Sequence, residues 1–293
     1  MDRWTVSKSS TLLEALQTHY TASSANKLRK MLAASRVHVN DQVHHRAKHS
    51  VQPGDTVQVS NRAASTSPTT ASSTSSVDPR LSVLHEDNAL LVVAKPHHVL
   101  SVATDRLEAD TLHSWCVDLV QEQDSNGWAY IVHRLDRETS GVMVLAKSKQ
   151  AKAHLQEQFA ARDVHRIYVA QVEGTPVPNQ GTVRTWLMED KHLNVKAVNP
   201  RHPQGKEAVS HYRTLSSNGT TSLVEVMIET GRRHQIRMAM QHLSTPIVGD
   251  RRLGATTDPH GRVMLHAHAL EFLHPETDDP VRFEAPLPGS FTL

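Results

Sequence analysis

An aspartate stands between two arginines in the segment HRLDRETSG, residues 133–141. A carboxylate held among basic side chains, where a strand meets a loop, is a candidate catalytic group because its charge can attack or stabilise a reacting atom. Asp136 could equally cap a helix or form an ion pair with Arg134 or Arg137. These residues alone leave the alternatives open.

Apolar runs on either side of this segment predict the strands that position it. Residues 131–132 precede it and residues 142–146 follow it. Runs rich in β-branched residues predict further strands, at 83–84, 89–94, 168–172 and 223–228. Residues 234–243 carry apolar side chains at helical spacing. Because helices and strands do not alternate regularly, we expect an α+β fold rather than a doubly wound sheet.

Histidine is the other residue type that could carry chemistry, because it can bind metals, and the chain has 21 histidines. His266 and His268 fall on one face of a predicted strand. A metal site needs three or four converging ligands, however, and the sequence has no HExxH motif and one cysteine, Cys116. We therefore expect no metal site.

Charge is distributed unevenly along a chain whose formal net charge is only +2. Residues 1–60 carry eight lysines and arginines against four acidic residues, and the remainder is nearly neutral. A small basic region of this kind fits docking on a polyanion such as a nucleic acid, and it equally fits a solvated basic surface.

Composition also predicts the compartment. No apolar run is long enough to cross a bilayer, and the first residues lack the pattern of an export signal. The single cysteine excludes an internal disulfide and fits a reducing compartment. We expect a cytoplasmic protein without membrane contact, and a monomer.

A Ser/Thr-rich segment marks the clearest domain boundary. Ten of the twelve residues 65–76 are serine or threonine, and such a segment buries too little apolar surface to order itself. We expect a small α+β domain over residues 1–60, a flexible linker over 61–79 and a catalytic domain over 80–293.

The region before the linker has the pattern of two helices followed by short strands. Thr11 and Glu14 form a capping box, and a second helix is predicted from near Ser24. Together with the SRVHVND turn and the PGDTVQV strand, this pattern resembles the RNA-binding module named for ribosomal protein S-four. A generic small α+β domain is the alternative. The resemblance implies that RNA contacts come from Lys27, Arg29, Lys30 and Arg36.

Five segments of the larger region resemble, in order and spacing, the RluA-type RNA pseudouridine synthases. The segment HRLDRETSGVMVLAKS, which contains Asp136, closely resembles the family's signature. The others, which together span most of residues 80–275, are VLHEDNALLVVAKP, LQEQFAARDVHRIYVAQVEG, TGRRHQIRMAMQHLSTPIVGD and RVMLHAHALEFLHP.

This resemblance implies a pseudouridine synthase fold, in which helices and loops flank a central mixed, largely antiparallel sheet. It assigns the catalytic carboxylate to Asp136, the active-site tyrosine to Tyr168 and the active-site arginine to Arg237. The fork of Arg237 would orient the carboxylate and favour its ionised form. Tyr168 would stack on the uracil, close enough to help remove the proton from carbon 5.

The same resemblance implies three residues that bind the substrate. A uridine inside folded RNA must leave its stack before a carboxylate can reach it. Arg134 would fill the vacated space or hold the extruded nucleotide, His133 would support the loop, and Leu265 would lie near the site. Phosphate contact by Arg134 and His133, or a purely structural role, is the alternative.

The chain departs from the family pattern at several positions. His97-His98 stands where a small-residue turn is common, and Arg233 replaces a threonine. Ala239 and Ser244 occupy the usual histidine and glycine positions. These departures do not change Asp136, but they weaken any inference from the family about which substrate this chain uses.

The sequence thus predicts a pseudouridine synthase that needs no cofactor, energy source or metal, because isomerising uridine leaves its composition unchanged. Structured RNA is the expected partner, with large-subunit ribosomal RNA favoured over transfer RNA. One alternative is a non-catalytic RNA-binding or ribosome-assembly protein on the same scaffold. Another is a hydrolase that uses Asp136 as its nucleophile or the histidines as metal ligands.

Overall fold

The computed structural model describes most of the chain, namely residues 2–21, 23, 28, 31–32, 36–44, 47, 49–60, 78–104, 108–190 and 193–293. The chain forms two compact units, Met1–Thr74 with Ala103–Ala109 and Ser75–Val102 with Asp110–Leu293. Most of the predicted linker (61–77) and the side chains of Lys27, Arg29 and Lys30 lie outside the described residues. None of the helices in the described part has the length and hydropathy needed to span a bilayer.

The smaller unit is built from short strands and one described helix. Its elements are β1 (Asp2–Thr5), β2 (Ser10–Thr11), α1 (Leu12–His19), β3 (Val37–Val39), β4 (Gln42–Val43), β5 (Ser50–Val51) and β6 (Thr56–Val59). Four strands form an antiparallel sheet in the order β1-β6-β3-β4, and β2 pairs with β5. The predicted capping box is confirmed, because the Thr11 hydroxyl accepts from the Glu14 amide and the Glu14 carboxylate accepts from the Thr11 amide.

In its described residues the larger unit contains a long sheet, three α-helices and one short 3₁₀ helix. Its elements are β7 (Ser82–Glu86), β8 (Leu90–Lys95), α2 (Leu112–Gln123), β9 (Tyr130–Ile131), β10 (Ser140–Ala146), α3 (Lys149–Ala161), β11 (His165–Glu173), β12 (Gln180–Glu189), β13 (Val195–Val198), β14 (Lys206–Ser217), β15 (Thr221–Ile228), α4 (Gln235–His242), the 3₁₀ helix Arg251–Leu253, β16 (Leu265–Leu273) and β17 (Pro280–Glu284).

The long sheet is mixed and largely antiparallel. Its strand order is β13-β12-β14-β15-β11-β16-β10-β8-β7, with β9 beside β10 and β17 beside β16. The β10–β16 pair is parallel, and every other pairing between the described strands is antiparallel. The predicted α+β fold with a central mixed sheet is therefore confirmed.

Strand β10 forms the centre of the larger core, and all seven of its residues are buried. It begins at Ser140, four residues after Asp136. Gly141 has a φ of +121°, and a Cβ placed there would lie 2.1 Å from the carbonyl oxygen of Ala267 on β16. Only glycine allows this close approach, so the base of the Asp136 segment is fixed against the sheet.

Candidate active site

Asp136 lies on a tight turn between β9 and β10. Its backbone carbonyl accepts from the Thr139 amide at 3.1 Å. The preceding Leu135 is buried, and both its amide and its carbonyl bond to the hydroxyl of Ser101, at 3.1 and 2.8 Å. The backbone on each side of Asp136 is therefore held in place.

The Asp136 carboxylate has no hydrogen-bond partner in the described part of the chain. It accepts no hydrogen bond from any residue that the structure describes, and Nε2 of His234 lies within ion-pair distance of it, at 3.9 Å. Its side chain is 24% exposed. Neither Arg134 nor Arg137 pairs with it in the described structure, and it caps no described helix. The two structural roles that the sequence left open are therefore not the ones observed.

Lys95, at the end of β8, lies beneath the Asp136 turn. Its side chain is 1% exposed, and Nζ donates to the carbonyls of Pro96 at 2.9 Å, Val99 at 2.8 Å and Arg137 at 3.3 Å. Burial lowers the pKa of Lys95 to about 7, against the opposing charges of Asp136 and Glu138. Sequence reasoning missed this residue, whose one signal is a lysine closing a wholly apolar strand.

Arg237 on α4 binds a different carboxylate from the one expected. Its Nε donates to Oδ2 of Asp250 at 2.6 Å and its Nη2 donates to Oδ1 at 2.7 Å, and both side chains are buried. Although burial works against it, the hydrogen bonds and charge of Asp250 raise the pKa of Arg237, and the charges of Asp136 and Glu138 add to the rise. The interpretation that the Arg237 fork orients Asp136 is therefore wrong, since Asp250 occupies the fork.

Asp250 was missed because it ends the segment TGRRHQIRMAMQHLSTPIVGD and carries no spacing signal of its own. Gly249 precedes it with a φ of +82°, and a Cβ there would lie 1.9 Å from the carbonyl oxygen of Arg262. This close approach fixes the backbone before Asp250, whose carboxylate reaches Arg237 on α4. Asp136 acts on Arg237 through its charge at a distance, whereas Asp250 acts by direct contact.

The turn before α4 brings His234 towards Asp136. Gln235 fixes this turn, because its amide accepts from the Thr230 hydroxyl and the Arg232 amide and donates to Val209 and Ser210. All four hydrogen-bonding positions of the amide are thus used. His234 adopts the left-handed conformation, with a φ of +55°, and its side chain is 11% exposed. Burial lowers the pKa of His234, and the charge of Asp136 opposes that shift.

Tyr168 lies on β11 at a bulge in the pairing with β16. It is 8% exposed, and its hydroxyl makes no hydrogen bond to a described residue. Burial raises the pKa of Tyr168 to about 12, an effect that Arg166 opposes and Asp136 reinforces. The phenol is thus protonated at neutral pH and feels the charge of Asp136.

His133 is tied to the sheet. Its Nε2 accepts from the backbone amide of Val144 at 3.1 Å, and its ring stacks on Phe159 at 5.0 Å. Burial lowers the pKa of His133 to about 3, and the charge of Arg166 adds to the effect. The imidazole is therefore neutral at pH 7 and holds the segment against β10.

The two remaining predicted substrate residues differ in exposure. Arg134 is exposed and forms no ion pair with a described residue. Leu265, the first residue of β16, is buried, and its carbonyl accepts from Arg262. Arg262 also donates to the Ser140 hydroxyl at 2.8 Å, so it ties the start of β16 to the start of β10.

The histidines of β16 are structural. Nδ1 of His266 is 2.9 Å from the Ser140 hydroxyl and its Nε2 is 3.2 Å from the Ala285 carbonyl. Nδ1 of His268 is 3.0 Å from the same Ala285 carbonyl. The two rings thus hold the backbone after β17 against the sheet.

Comparison with known proteins assigns this arrangement to a family. Residues 89–242 match the family model described as RNA pseudouridylate synthase. This chain belongs to that family. The matched residues include Asp136, Tyr168 and Arg237, while Asp250 and Leu265 lie just beyond them.

Named relatives agree with this assignment. The synthase is 39% identical over 229 residues to Ribosomal large subunit pseudouridine synthase D of Xanthomonas campestris pv. campestris, covering 72% of this chain and 67% of the relative. It is 36% identical over 221 residues to the protein of the same name from Neisseria meningitidis serogroup B, covering 71% of this chain and 59% of the relative.

A solved structure supports the fold as well. The human protein RNA Pseudouridylate Synthase Domain Containing 4 superposes with a TM-score of 0.61 at 26% identity, over 72% of this chain and 90% of that one. The RluA-type resemblance of the motifs is confirmed, and the chain is an isomerase that acts on RNA. These comparisons favour the enzyme over a non-catalytic RNA-binding protein.

Proposed function

We propose that this synthase converts uridine to pseudouridine in structured RNA through the carboxylate of Asp136, without a cofactor. Large-subunit ribosomal RNA is the proposed substrate, which the names of two relatives support. We further propose that the protein acts as a monomer in the cytoplasm.

The availability of the Asp136 carboxylate is the observation that carries this proposal. The neighbouring acid, Asp250, is buried and spends both oxygens on Arg237. Asp136 is partly exposed and accepts no hydrogen bond from a described residue. Its negative charge nevertheless acts on four groups from different parts of the fold. It opposes the lowering of the pKa by burial at Lys95 and His234, and it adds to the raised pKa of Tyr168 and Arg237. A carboxylate that lies among polar side chains but accepts no hydrogen bond from them is available to act on a substrate.

The reaction breaks the bond between carbon 1′ of ribose and nitrogen 1 of uracil and forms a bond between carbon 1′ and carbon 5. Carbon 5 loses a proton and nitrogen 1 gains one, so atoms and electrons balance without a redox partner. Asp136 can attack the ribose, attack the base, or remove a sugar proton, and each route requires the ionised carboxylate.

The uracil must be retained while it is detached and turned. Tyr168 offers a buried aromatic ring within reach of the charge of Asp136, and base stacking on such a ring stabilises binding by about 1–3 kcal/mol. We propose that Tyr168 stacks on the uracil and that Leu265 closes the pocket near it. Exposed Arg134 then holds the extruded nucleotide, while His133 fixes the loop.

Residues 1–60 are proposed to form an RNA-binding module of the ribosomal-protein-S-four type, joined by the segment 61–79 to the catalytic residues 80–293. Lys27, Arg29, Lys30 and Arg36 would contact phosphates. Of these, Arg36 is described, and its Nε donates to the Ser60 carbonyl at 2.8 Å, which leaves its two terminal nitrogens for RNA.

The variant Asp136→Asn tests the proposal. Uridine isomerisation in a large-subunit ribosomal RNA transcript should fall by at least about a hundredfold, whereas Asp118→Asn, an exposed residue of α2, should retain activity. Pseudouridine mapping in a deletion strain, complemented with each variant, identifies the modified RNA. Unchanged isomerisation by Asp136→Asn would contradict the role of the carboxylate. Release of free uracil would instead favour a hydrolase, and lost sites confined to transfer RNA would contradict the substrate.

A further inference from the structure

Arg252 differs from the arginines around it in the charge of its partner. It lies in the 3₁₀ helix Arg251–Leu253, is exposed, and donates through Nη2 to the side-chain amide oxygen of Asn194. Arg251 lies 3.6 Å from the carboxylate of Asp258, and Arg233 lies 3.2 Å from that of Glu189. No carboxylate among the described residues lies within ion-pair distance of Arg252, whose described partner is a neutral amide.

The partner of Arg252 is itself held in place. Asn194 lies in the turn between β12 and β13, where its backbone amide donates to Asp190 Oδ1 at 2.9 Å and its side-chain Nδ2 donates to Oδ2 at 3.2 Å. These two bonds orient the amide so that its oxygen faces Arg252. The arginine is thus pre-ordered by a neutral acceptor, which lowers the entropic cost of binding an anion.

Arg252 is connected to the candidate site by its position in the chain and by its charge. It follows Asp250, the acid that binds Arg237, by two residues. Burial is the main cause of the lowered pKa of His234, and the positive charge of Arg252 is among the further causes. His234 in turn lies 3.9 Å from Asp136. The guanidinium therefore lies at the rim of the active site rather than on a remote face.

We propose that Arg252 binds a backbone phosphate of the RNA next to the target uridine. This inference rests on the proposed function, since it names the RNA group that the rim of that site recognises. The planar guanidinium suits the oxygens of a phosphodiester, and such a contact positions RNA without reading its sequence. An aspartate at position 194 would form an ion pair with Arg252. The neutral Asn194 leaves the positive charge of Arg252 available to a phosphate.

Binding is measured first, with a fluorescein-labelled 20-nucleotide oligouridine across a series of KCl concentrations. Arg252→Gln should weaken binding about threefold to tenfold and reduce the slope of log K against log salt by about 0.7, the value for one phosphate of a single strand. Asn194→Asp should act similarly although Arg252 is still present, because the new carboxylate neutralises it. Asn194→Ala removes the anchor but not the charge, so it should change the slope less.

Arg213→Gln is the matched control. Arg213 pairs with Gln180, nine residues along β12 from Glu189, which places it about 30 Å from the Arg252 end of the hairpin. A slope for Arg252→Gln equal to that of Arg213→Gln would overturn the proposal. Equal slopes for Asn194→Asp and Asn194→Ala would also overturn it, because the effect would then come from loop geometry and not from charge.

Catalysis separates this proposal from the function on which it rests. With the ribosomal RNA transcript, Arg252→Gln should raise KM with little change in the single-turnover rate at saturating enzyme. A collapse of that rate would show that Arg252 does more than hold a phosphate, and would overturn the proposed role. Failure of the wild type to isomerise the transcript would contradict the proposed substrate instead, while the oligouridine measurement would still test Arg252.

Discussion

Arg237 and Asp250 form a buried, bidentate ion pair near Asp136, the candidate catalytic acid. Nε lies 2.6 Å from Oδ2 and Nη2 lies 2.7 Å from Oδ1, with side chains 6% and 1% exposed. The two acids near this arginine therefore have separate tasks. Asp250 fixes and compensates the guanidinium, whereas Asp136 acts on it through charge and accepts no hydrogen bond from a described residue.

Asp250→Asn should be strongly destabilising. The substitution leaves the buried Arg237 cation without a compensating charge, and removing one partner of such a pair costs about 3–5 kcal/mol. Activity should fall about tenfold or more even where the protein is folded, because the arginine loses its orientation. Urea unfolding and single-turnover isomerisation at 25 °C measure the two effects.

The exposed pair between Arg213 and Glu225, at 2.8 Å, provides the control for Asp250→Asn. Glu225→Gln should cost less than about 1 kcal/mol, as exposed ion pairs contribute little. Equal losses of stability in the two variants would contradict the assignment of Asp250 as the compensating charge.

Lys95→Met should change how stability depends on pH. Burial lowers the pKa of Lys95 from 10.5 to about 7, so between these values the unfolded chain binds one proton more than the folded chain. Wild-type stability therefore gains up to about 1.4 kcal/mol per pH unit as the pH rises from 7 towards 10.5. Below pH 7 the lysine is charged in both states and this gain is absent.

The Lys95→Met protein lacks that gain. The unfolding free energy of the wild type minus that of the variant should therefore increase from pH 7 to pH 10. Its kcat should also fall, because the carbonyls of Pro96, Val99 and Arg137 lose their donor beneath the Asp136 turn. Urea midpoints at several pH values measure the first effect, with exposed Lys149→Met as the control. Parallel pH curves for Lys95→Met and wild type would refute the buried titration.

The sequence predicts the elements of the fold better than it predicts the contacts in the site. The apolar runs that became β10 and β11 report burial along the chain, and this information is local. The choice of Arg237 between two carboxylates depends on how the 3₁₀ helix approaches α4, which no spacing encodes. Lys95 escaped prediction because a lysine is almost never buried without special hydrogen bonding, and its acceptors are backbone carbonyls that every sequence has.

Gly141→Ala should unfold much of the larger unit. A Cβ at this position, where φ is +121°, would lie 2.1 Å from the Ala267 carbonyl oxygen, and the backbone of two buried strands cannot yield. Strain and overpacking together should cost about 3 kcal/mol or more. Gly289→Ala is the control, since nothing lies within 4 Å of the added atom, and thermal melting compares the two. A normal melting temperature for Gly141→Ala would show that β10 and β16 do not approach this closely.

Tyr168→Phe and Tyr168→Leu distinguish stacking from proton transfer. Burial raises the pKa of Tyr168 to about 12, so the phenol should hold its proton between pH 6 and pH 9, which favours stacking over removal of the carbon 5 proton. Tyr168→Phe keeps the ring and should slow single-turnover isomerisation less than about tenfold. Tyr168→Leu loses the stacking face, worth about 1–3 kcal/mol, and should be slowed further. If the phenylalanine variant were as slow as the leucine variant, and the wild-type rate rose tenfold per pH unit up to pH 9, the phenolate would be the base and the stacking role would be wrong.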